Sequence, residues 1–258
     1  MNPVAMGGTA SSVVVRRVAV DRAWHWLAAG WDDLARARGV ALAYGGLIVI
    51  LSLALTFLLF SLEWIYLLLP LAAGFFLIAP ILAVGLYETS RRLASGEPVT
   101  LGAALGAWRR NGGQILLMGL LLMLINLAWV RIATLLFALF HAGGANPPLE
   151  ALIAWTLFSP AGLPFLVVGT ITGGLLAVVT FAIGAISIPM LLDRDVDVIT
   201  AVATSVAAVR ANWQAMALWA GLIVVFTAFG IATLYIGLAI ALPLIGHATW
   251  HAYKDLVA

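Results

Sequence analysis

The sequence predicts an all-α, polytopic membrane protein whose six transmembrane helices form three repeated hairpins, each preceded by a short amphipathic interfacial helix. Three observations predict this fold: the composition, apolar runs long enough to cross a bilayer, and motifs that recur beside those runs. Apolar residues make up 64% of the 258 residues and charged residues only 9%, whereas soluble domains average roughly 45–50% and about 25%. So few charges could not cover a soluble interior of this size, and lipid is therefore the solvent for most of the chain.

The N-terminal region is predicted to precede the first span. Residues 1–20 are mostly small or polar and predict a flexible tail, whereas residues 21–258 are predicted to form a single transmembrane domain. Residues 21–38 predict the first interfacial helix, and its charged side chains, including Asp33, are expected on the side away from its apolar ones. The apolar residues at helical spacing are Trp24, Leu27, Trp31 and Leu34. Indoles in such a helix are suited to the lipid headgroup layer.

Apolar stretches of membrane-spanning length follow this helix. A hydrocarbon core about 30 Å thick needs roughly 20 helical residues. The predicted spans are residues 41–62, 64–87, 113–139, 162–188, 213–230 and 232–252. The last two share one apolar run that is too long for one crossing and barely long enough for two. We place a turn near Gly230, and one long helix is the alternative.

The basic residues predict the topology. Of the 13 Lys and Arg residues, all but Arg131 lie in the N-terminal segment, the two polar loops 88–111 and 193–212, or the C-terminal tail. Six spans put all four regions on one side of the membrane, which the positive-inside rule makes the cytoplasm. Both termini are therefore predicted to be cytoplasmic.

Motifs recur around the hairpins and predict a threefold internal repeat. The segments LARARG, AWRRNGG and AVRANW each end an amphipathic stretch before a hairpin, and Thr100 is the predicted N-cap of the second stretch. The second helix of each hairpin ends with a proline, at Pro80, Pro189 and Pro243. Self-similarity of this kind is typical of repeat construction, although three similar hairpins would also need similar exits from the membrane.

Three segments resemble a known family. They are GLYETSRRLASGE at residues 85–97, NWQAM at 212–216 and GHATWHAYKDLV at 246–257. They are similar to a bacterial family of integral membrane proteins, domain of unknown function 2189, over nearly the whole chain. The resemblance implies a bacterial inner-membrane location and no established activity. Some relatives are labelled as cytochrome oxidase components, and no functional residues of the family can be carried over.

Polar residues beyond the three prolines are predicted to form a cluster at the cytoplasmic end of the bundle. The candidate polar or metal cluster contains Glu88, Asp193, Asp197, His247 and His251, with Arg91 and Arg92 as charge partners. His247 and His251 are four residues apart and share one helix face. Such a pair can bind a divalent metal if one or two further ligands are present. The alternative is that both histidines form hydrogen bonds across the interface.

The sequence predicts no cofactor and no enzyme activity. Two axial histidines must approach one haem from opposite faces, and two histidines four residues apart on one helix cannot supply both. The chain has four histidines and no cysteine, which excludes iron–sulfur clusters and thiol chemistry. It contains no hydrolase, phosphate-loop or dinucleotide fingerprint, so no catalytic residue is predicted.

These observations favour a non-catalytic accessory, assembly or lipid-contacting membrane protein. Its expected partners are membrane lipids, with another membrane protein or a second copy of the chain as alternatives, since Gly169 and Gly173 form a small-residue face that allows close helix approach. A net charge of +2 gives little reason to expect a nucleic-acid partner. A small-solute transporter or channel is the second interpretation, although the predicted spans hold few ionisable groups. A metal-binding protein is the third. Of the polar residues within the spans, Arg131 is expected near the outer boundary of the membrane. Asn126 is expected to form a hydrogen bond between helices.

Overall fold

The computed structural model describes residues 14–141 and 149–258, and this part of the chain confirms the predicted all-α fold class. In chain order the helices are α1 Arg22–Arg36, α2 Arg38–Ser61, α3 Leu68–Leu82, α4 Val84–Ser95, α5 Leu101–Leu105, α6 Gly112–Phe140, α7 Leu149–Phe158, α8 Gly162–Gly184, α9 Ser187–Asp193, α10 Val198–Ala211, α11 Trp213–Ala232 and α12 Leu238–Leu256. Thr100 caps α5 as predicted, because its hydroxyl accepts a hydrogen bond from the backbone N–H of Ala103.

Five segments of the described chain are long and apolar enough to cross a membrane. They are Arg38–Ser61, Pro70–Ser95, Ala107–Phe140, Gly162–Asp193 and Trp213–Ala232. These segments correspond to the first five predicted spans. The second and fourth extend beyond their predicted ends, because α3 leads almost directly into α4 and α8 into α9.

The sixth predicted span, residues 232–252, is not confirmed. The apolar run 213–252 does form two helices, but the turn between them lies at residues 233–237 rather than at Gly230. The second helix, α12, is apolar only over residues 238–245, which is about 12 Å of helix and less than half of a hydrocarbon core. Its C-terminal half carries polar side chains and packs against α1.

The predicted arrangement as three repeated hairpins is not confirmed either. In the apolar region α12 packs between α2 and α11, and we call these three helices the α12 bundle. The helices α3, α6 and α8 pack on one another and form the α6 bundle. The first predicted hairpin is therefore divided, because α2 belongs to one bundle and α3 to the other.

Two glycines explain why α2 and α3 pack against different helices. A Cβ at Gly45 of α2 would overlap the carbonyl oxygen of Ala239 in α12, and a Cβ at Gly74 of α3 would overlap the side chain of Asn126 in α6. Small residues allow helix backbones to approach closely within a membrane. Each glycine thus fixes its helix against a neighbour other than its hairpin partner.

The two bundles join at one end of the molecule. There α1, α4, α9, α10 and the C-terminal half of α12 pack together, and we call this region the junction. Its fully buried side chains include Leu86, Ile186, Ile188, Met190, Tyr253 and Leu256. Most of the charged side chains lie at this end, which we call the charged end.

Both ends of the described chain meet at the charged end. The backbone N–H of Arg16 donates to the carbonyl of Leu256 at 2.9 Å, and the N–H of Ala258 donates to the carbonyl of Val14 at 3.0 Å. The side chain of Asn212 accepts from the N–H of Val18 and donates to the carbonyl of Arg16. Residues 14–18 of the predicted flexible tail 1–20 are therefore held in place, while residues 1–13 lie outside the described part of the chain.

The faces of α1 differ from the prediction. The side of α1 that is buried contains Ala23, Trp26, Gly30, Asp33 and Leu34. The prediction that Asp33 faces away from the apolar side was wrong. Its carboxylate is buried because it hydrogen bonds to α12, and Gly30 lets the two backbones come close enough for this contact.

Candidate functional site

Glu88 is the centre of a buried ion-pair network at the charged end. Its carboxylate is 2% exposed and accepts two hydrogen bonds from Arg91, at 2.8 and 3.0 Å, and one from Arg92 at 2.7 Å. Arg91 also donates two hydrogen bonds to Glu97, at 2.7 and 2.8 Å. Glu88 is thus paired with two arginines of its own helix, and Arg91 links this pair to Glu97 in the loop that follows.

Asp193 belongs to a different set of contacts. It accepts hydrogen bonds from the Tyr253 hydroxyl at 2.7 Å and from the Lys254 ammonium at 3.0 Å. Arg194 donates to the same Tyr253 hydroxyl at 3.0 Å. These contacts join the end of α9 to the last turns of α12.

Asp197 serves as the N-cap of α10. Its carboxylate accepts a hydrogen bond of 2.7 Å from the backbone N–H of Thr200. The hydrogen bonds from Thr200 lower the pKa of the Asp197 carboxyl, as expected for an N-cap whose charged form accepts backbone N–H bonds. A carboxylate engaged in this way stabilises the start of a helix.

The two histidines of α12 have separate partners. The Nδ1 atom of His247 lies 2.8 Å from the Ser90 hydroxyl, and the Nε2 atom of His251 lies 2.8 Å from the Asp33 carboxylate. Burial tends to raise the pKa of Asp33, but the hydrogen bond from His251 and the nearby Ser90 hydroxyl outweigh it, and the net shift is downward. This arrangement corresponds to the predicted alternative of hydrogen bonds across the interface.

The five predicted cluster residues therefore share one end of the molecule without forming one site. His247 and His251 lie together, whereas Glu88, Asp193 and Asp197 each have partners of their own. Over the described ranges no group of three or more His, Asp or Glu side chains is arranged to hold a metal ion. Equivalent positions in the proposed repeat have different surroundings, because each side chain bonds to whichever neighbour its helix meets.

The sequence reasoning missed Ser90 and Asp33. Ser90 lies 157 residues from His247 along the chain and Asp33 lies 218 residues from His251, so spacing offered no signal. A serine hydrogen bonded to a histidine can act as a nucleophile in other settings. Here Ser90 is 1% exposed and His247 is fully buried, so the pair joins α4 to α12 and is not open to a substrate.

A cavity of about 940 Å³ lies between the two bundles. Its walls are one face of α8, from Phe165 to Phe181, and one face of α11, from Trp213 to Thr227, with further residues from α3, α6 and α12. The helices α8 and α11 make few direct contacts with one another. The cavity is the space that remains where these helices diverge from the junction.

The wall of the cavity is apolar. Among the described residues that line it there is no Asp, Glu, Lys, Arg or His. Both glycines of the predicted small-residue face, Gly169 and Gly173, border this open space, and Gly173 also packs against the Trp129 ring within the α6 bundle. Only one of the two glycines therefore serves close helix approach.

Two polar groups at the charged end of the cavity lack partners. The indole N–H of Trp219 and the hydroxyl of Thr180 are buried and have no hydrogen-bond partner within the described structure, and both residues border the cavity. Two comparable groups on the wall are paired: the Trp129 N–H donates to the carbonyl of Pro70 and the Thr249 hydroxyl to that of Ile245.

The two polar residues noted within the spans have different surroundings. Arg131 lies on the exposed face of α6, toward the end opposite the junction. The predicted interhelical hydrogen bond of Asn126 is not observed, since its side-chain oxygen is buried without a partner in the described structure. Asn126 instead contacts α3 by packing against Gly74.

Comparisons with known proteins support the membrane assignment. No curated protein and no solved structure matches the chain. Residues 68–193 match a family model described as a predicted integral membrane protein, DUF2189. This segment runs from the start of α3 to the end of α9 and includes three of the five candidate spans. Through this segment, the multi-pass integral membrane protein is similar to the DUF2189 family, whose function is unknown.

Proposed function

We propose that this protein is a non-catalytic membrane protein that holds a membrane lipid in the cavity between its two bundles. The observation that carries the proposal is the cavity itself, whose volume is about 940 Å³ and whose described wall bears no charged side chain. Ligand sites in proteins commonly measure about 300–1,000 Å³ and are mostly apolar with a few polar groups. Among the predicted accessory, assembly and lipid-contacting roles, this cavity favours contact with lipid.

The length of the cavity suits a hydrocarbon chain. Its wall on α8 extends from Phe165 to Phe181, which corresponds to about 24 Å of helix. A bilayer core is about 30 Å thick, so the cavity runs along most of one crossing. An empty space of this size would leave its lining side chains without dispersion contacts on one side, and acyl chains are the nearest groups that can supply them.

The same wall argues against a path for ions or polar solutes. Such paths are usually marked by ionisable side chains that face an interior near mid-membrane. The described wall contains none, and its polar groups are hydroxyls and indoles. Arg131 lies outside it, on the exposed face of α6.

We also propose six crossings, with both termini in the cytoplasm of a bacterium and the spans in its inner membrane. The hydrogen bonds between residues 14–16 and residues 256–258 support an even number of crossings, because five would leave these segments on opposite sides of the membrane. The basic residues at the charged end support a cytoplasmic position for that end. In this topology α12 returns to the starting side mostly shielded by α2 and α11.

Lipid retention by a cavity-filling variant tests the proposed function. A Cβ at Gly169, which borders the cavity, would meet no atom within 4 Å, and the same is true at Gly221, which is exposed on the outer face of α11. Gly169→Phe should reduce the lipid that remains bound after purification in mild detergent, measured by mass spectrometry per mole of protein. The matched variant Gly221→Phe should retain as much as wild type. Equal retention by all three proteins would contradict the proposal.

A further inference from the structure

The cavity differs in polarity between its two ends. Thr180 lies four residues before the end of α8, and Trp219 lies six residues after the start of α11. At 1.5 Å per residue these positions are about 6 Å and about 9 Å from the charged-end termini of their helices. The two residues therefore border the cavity at a similar depth, close to the junction.

Their polar groups are unusual in having no partner. Trp219 is fully buried and Thr180 is 1% exposed, yet neither the indole N–H nor the hydroxyl makes a hydrogen bond in the described structure. Buried donors and acceptors are nearly always satisfied, because leaving one unpaired costs free energy. Two such groups beside one cavity point to a partner that the cavity would receive.

The chemistry of these groups limits the partner. An indole N–H can only donate a hydrogen bond, and a threonine hydroxyl can donate or accept one. A group that satisfies both must therefore offer an acceptor oxygen. A charged headgroup would be desolvated without a counter-ion, since the described wall has no charged side chain, and burying an unpaired charge is far more costly than burying a neutral group.

We propose that the lipid held in the cavity carries an uncharged oxygen group, a hydroxyl or a carbonyl, which Trp219 and Thr180 bind at the charged end. Its hydrocarbon chain then extends along α8 and α11 toward the opposite end of the cavity. This inference rests on the proposed function, because it names the class of lipid that the same cavity accepts. It assigns to Trp219 and Thr180 the recognition of the head group and to the apolar wall the accommodation of the chain.

Photolabelling with matched probes tests this inference. The full-length protein in mild detergent is incubated with a long-chain alcohol that carries a diazirine within its chain, with the corresponding alkane, or with the corresponding carboxylate. Mass spectrometry then measures the labelling of the α8 and α11 peptides. In the wild-type protein the alcohol should label these peptides more efficiently than either of the other two probes.

Four variants separate head-group recognition from a change in shape. Trp219→Phe and Thr180→Val each remove one unpartnered polar group, and each should lower labelling by the alcohol about two- to tenfold relative to the alkane, the range expected for one lost hydrogen bond. Trp129→Phe and Thr249→Val make the same chemical changes on the cavity wall, but the groups they remove are already bound within the protein. These two controls should leave the alcohol-to-alkane ratio unchanged.

The outcomes distinguish this inference from the proposed function. If the alkane labels the wild-type cavity as well as the alcohol does, or the carboxylate labels it better, the neutral head-group site is wrong although a lipid is still held. The same conclusion follows if Trp219→Phe and Thr180→Val lower labelling by the alcohol and the alkane equally. If no probe labels cavity-facing positions of α8 and α11 above their outward-facing positions, the proposed function itself fails.

Discussion

The junction and the bundles are formed by helices that follow one another in the chain, since α3 leads almost directly into α4 and α8 into α9, but the two regions differ in how closely their helices meet. In the junction, α4, α9 and α12 bury side chains such as Leu86, Ile188 and Tyr253 completely. A few turns further along, α8 and α11 separate and the cavity opens between them. At the charged end the helices are close to water, and the hydrophobic effect therefore favours burial of apolar side chains in a closed core.

Within lipid that driving force is absent, because acyl chains are as apolar as the side chains they touch. Helices then stay together only where small residues or hydrogen bonds allow close contact. Gly45 against Ala239 and Gly74 against Asn126 provide such contacts inside each bundle. The facing sides of α8 and α11 carry small residues such as Gly169 and Ala220, but these two helices make few direct contacts. The gap between the bundles can persist if a lipid fills it.

We expect substitutions in the buried polar network of the junction to cause the largest losses of stability. Glu88→Gln removes the negative charge shared by Arg91 and Arg92. Removing one partner of a buried ion pair typically costs about 3–5 kcal/mol. We expect a loss of about 3 kcal/mol, because the Arg92 side chain is 26% exposed and water can reach it. Thermal or denaturant unfolding in detergent measures this change.

Glu63→Gln is the matched control for this variant. It makes the same change of charge at an exposed turn outside the junction. Substitutions at such surface positions usually alter stability by no more than about 0.5 kcal/mol. If the two variants were equally stable, the buried network would not be what holds the junction together.

The next largest effect is expected at Asp33, and it should depend on pH. Asp33→Asn weakens the buried contact with His251, and hydrogen bonds to charged groups contribute about 1.5–3 kcal/mol. The pKa of Asp33 is lowered in the folded protein, so its contribution is present above the unfolded value of about 4 and is lost as the pH falls through the folded pKa. The stability difference between wild type and variant should therefore be full at neutral pH and shrink below about pH 4.

Unfolding measured between neutral and acidic pH checks this prediction. The neighbouring residue Asp32 is exposed, and Asp32→Asn changes the net charge by the same amount. We expect that control to follow the wild-type stability profile. A difference between wild type and Asp33→Asn that stayed constant below about pH 4 would mean that the charge of Asp33 does not contribute to the junction.

The sequence predicted individual helices better than the contacts between them. Residues 113–139 correspond to α6 almost to the residue, because one long and predominantly apolar run fixes both of its ends. The turn at residues 233–237 was placed too early, since Leu234 and Tyr235 adopt positive φ angles without a glycine to mark them. Asp33 was assigned to the wrong face of α1, because a charged residue is expected to face water unless a distant partner such as His251 is known.

The cavity could not be predicted from periodicity. A pattern of apolar residues indicates that a helix lies in lipid or in a core, but it does not distinguish a side that touches another helix from one that borders a space. Trp129 and Trp219 illustrate this, since both are tryptophans within apolar spans. Only the structure reveals that the first donates to the carbonyl of Pro70 whereas the second lacks a partner among the described residues.

The smallest effect is expected at the close contact within the α12 bundle, and two adjacent glycines allow it to be isolated. Gly45→Ala places a methyl group against the carbonyl of Ala239, whereas the position of a Cβ at Gly46 has no atom within 4 Å. Both changes raise helix propensity by the same amount, about 1 kcal/mol, so their difference reports the overlap alone. Overpacking typically costs about 1–3 kcal/mol, and Gly45→Ala should be less stable than Gly46→Ala by that amount in unfolding experiments. If the two variants had equal stability, the packing of α2 against α12 would not depend on this contact.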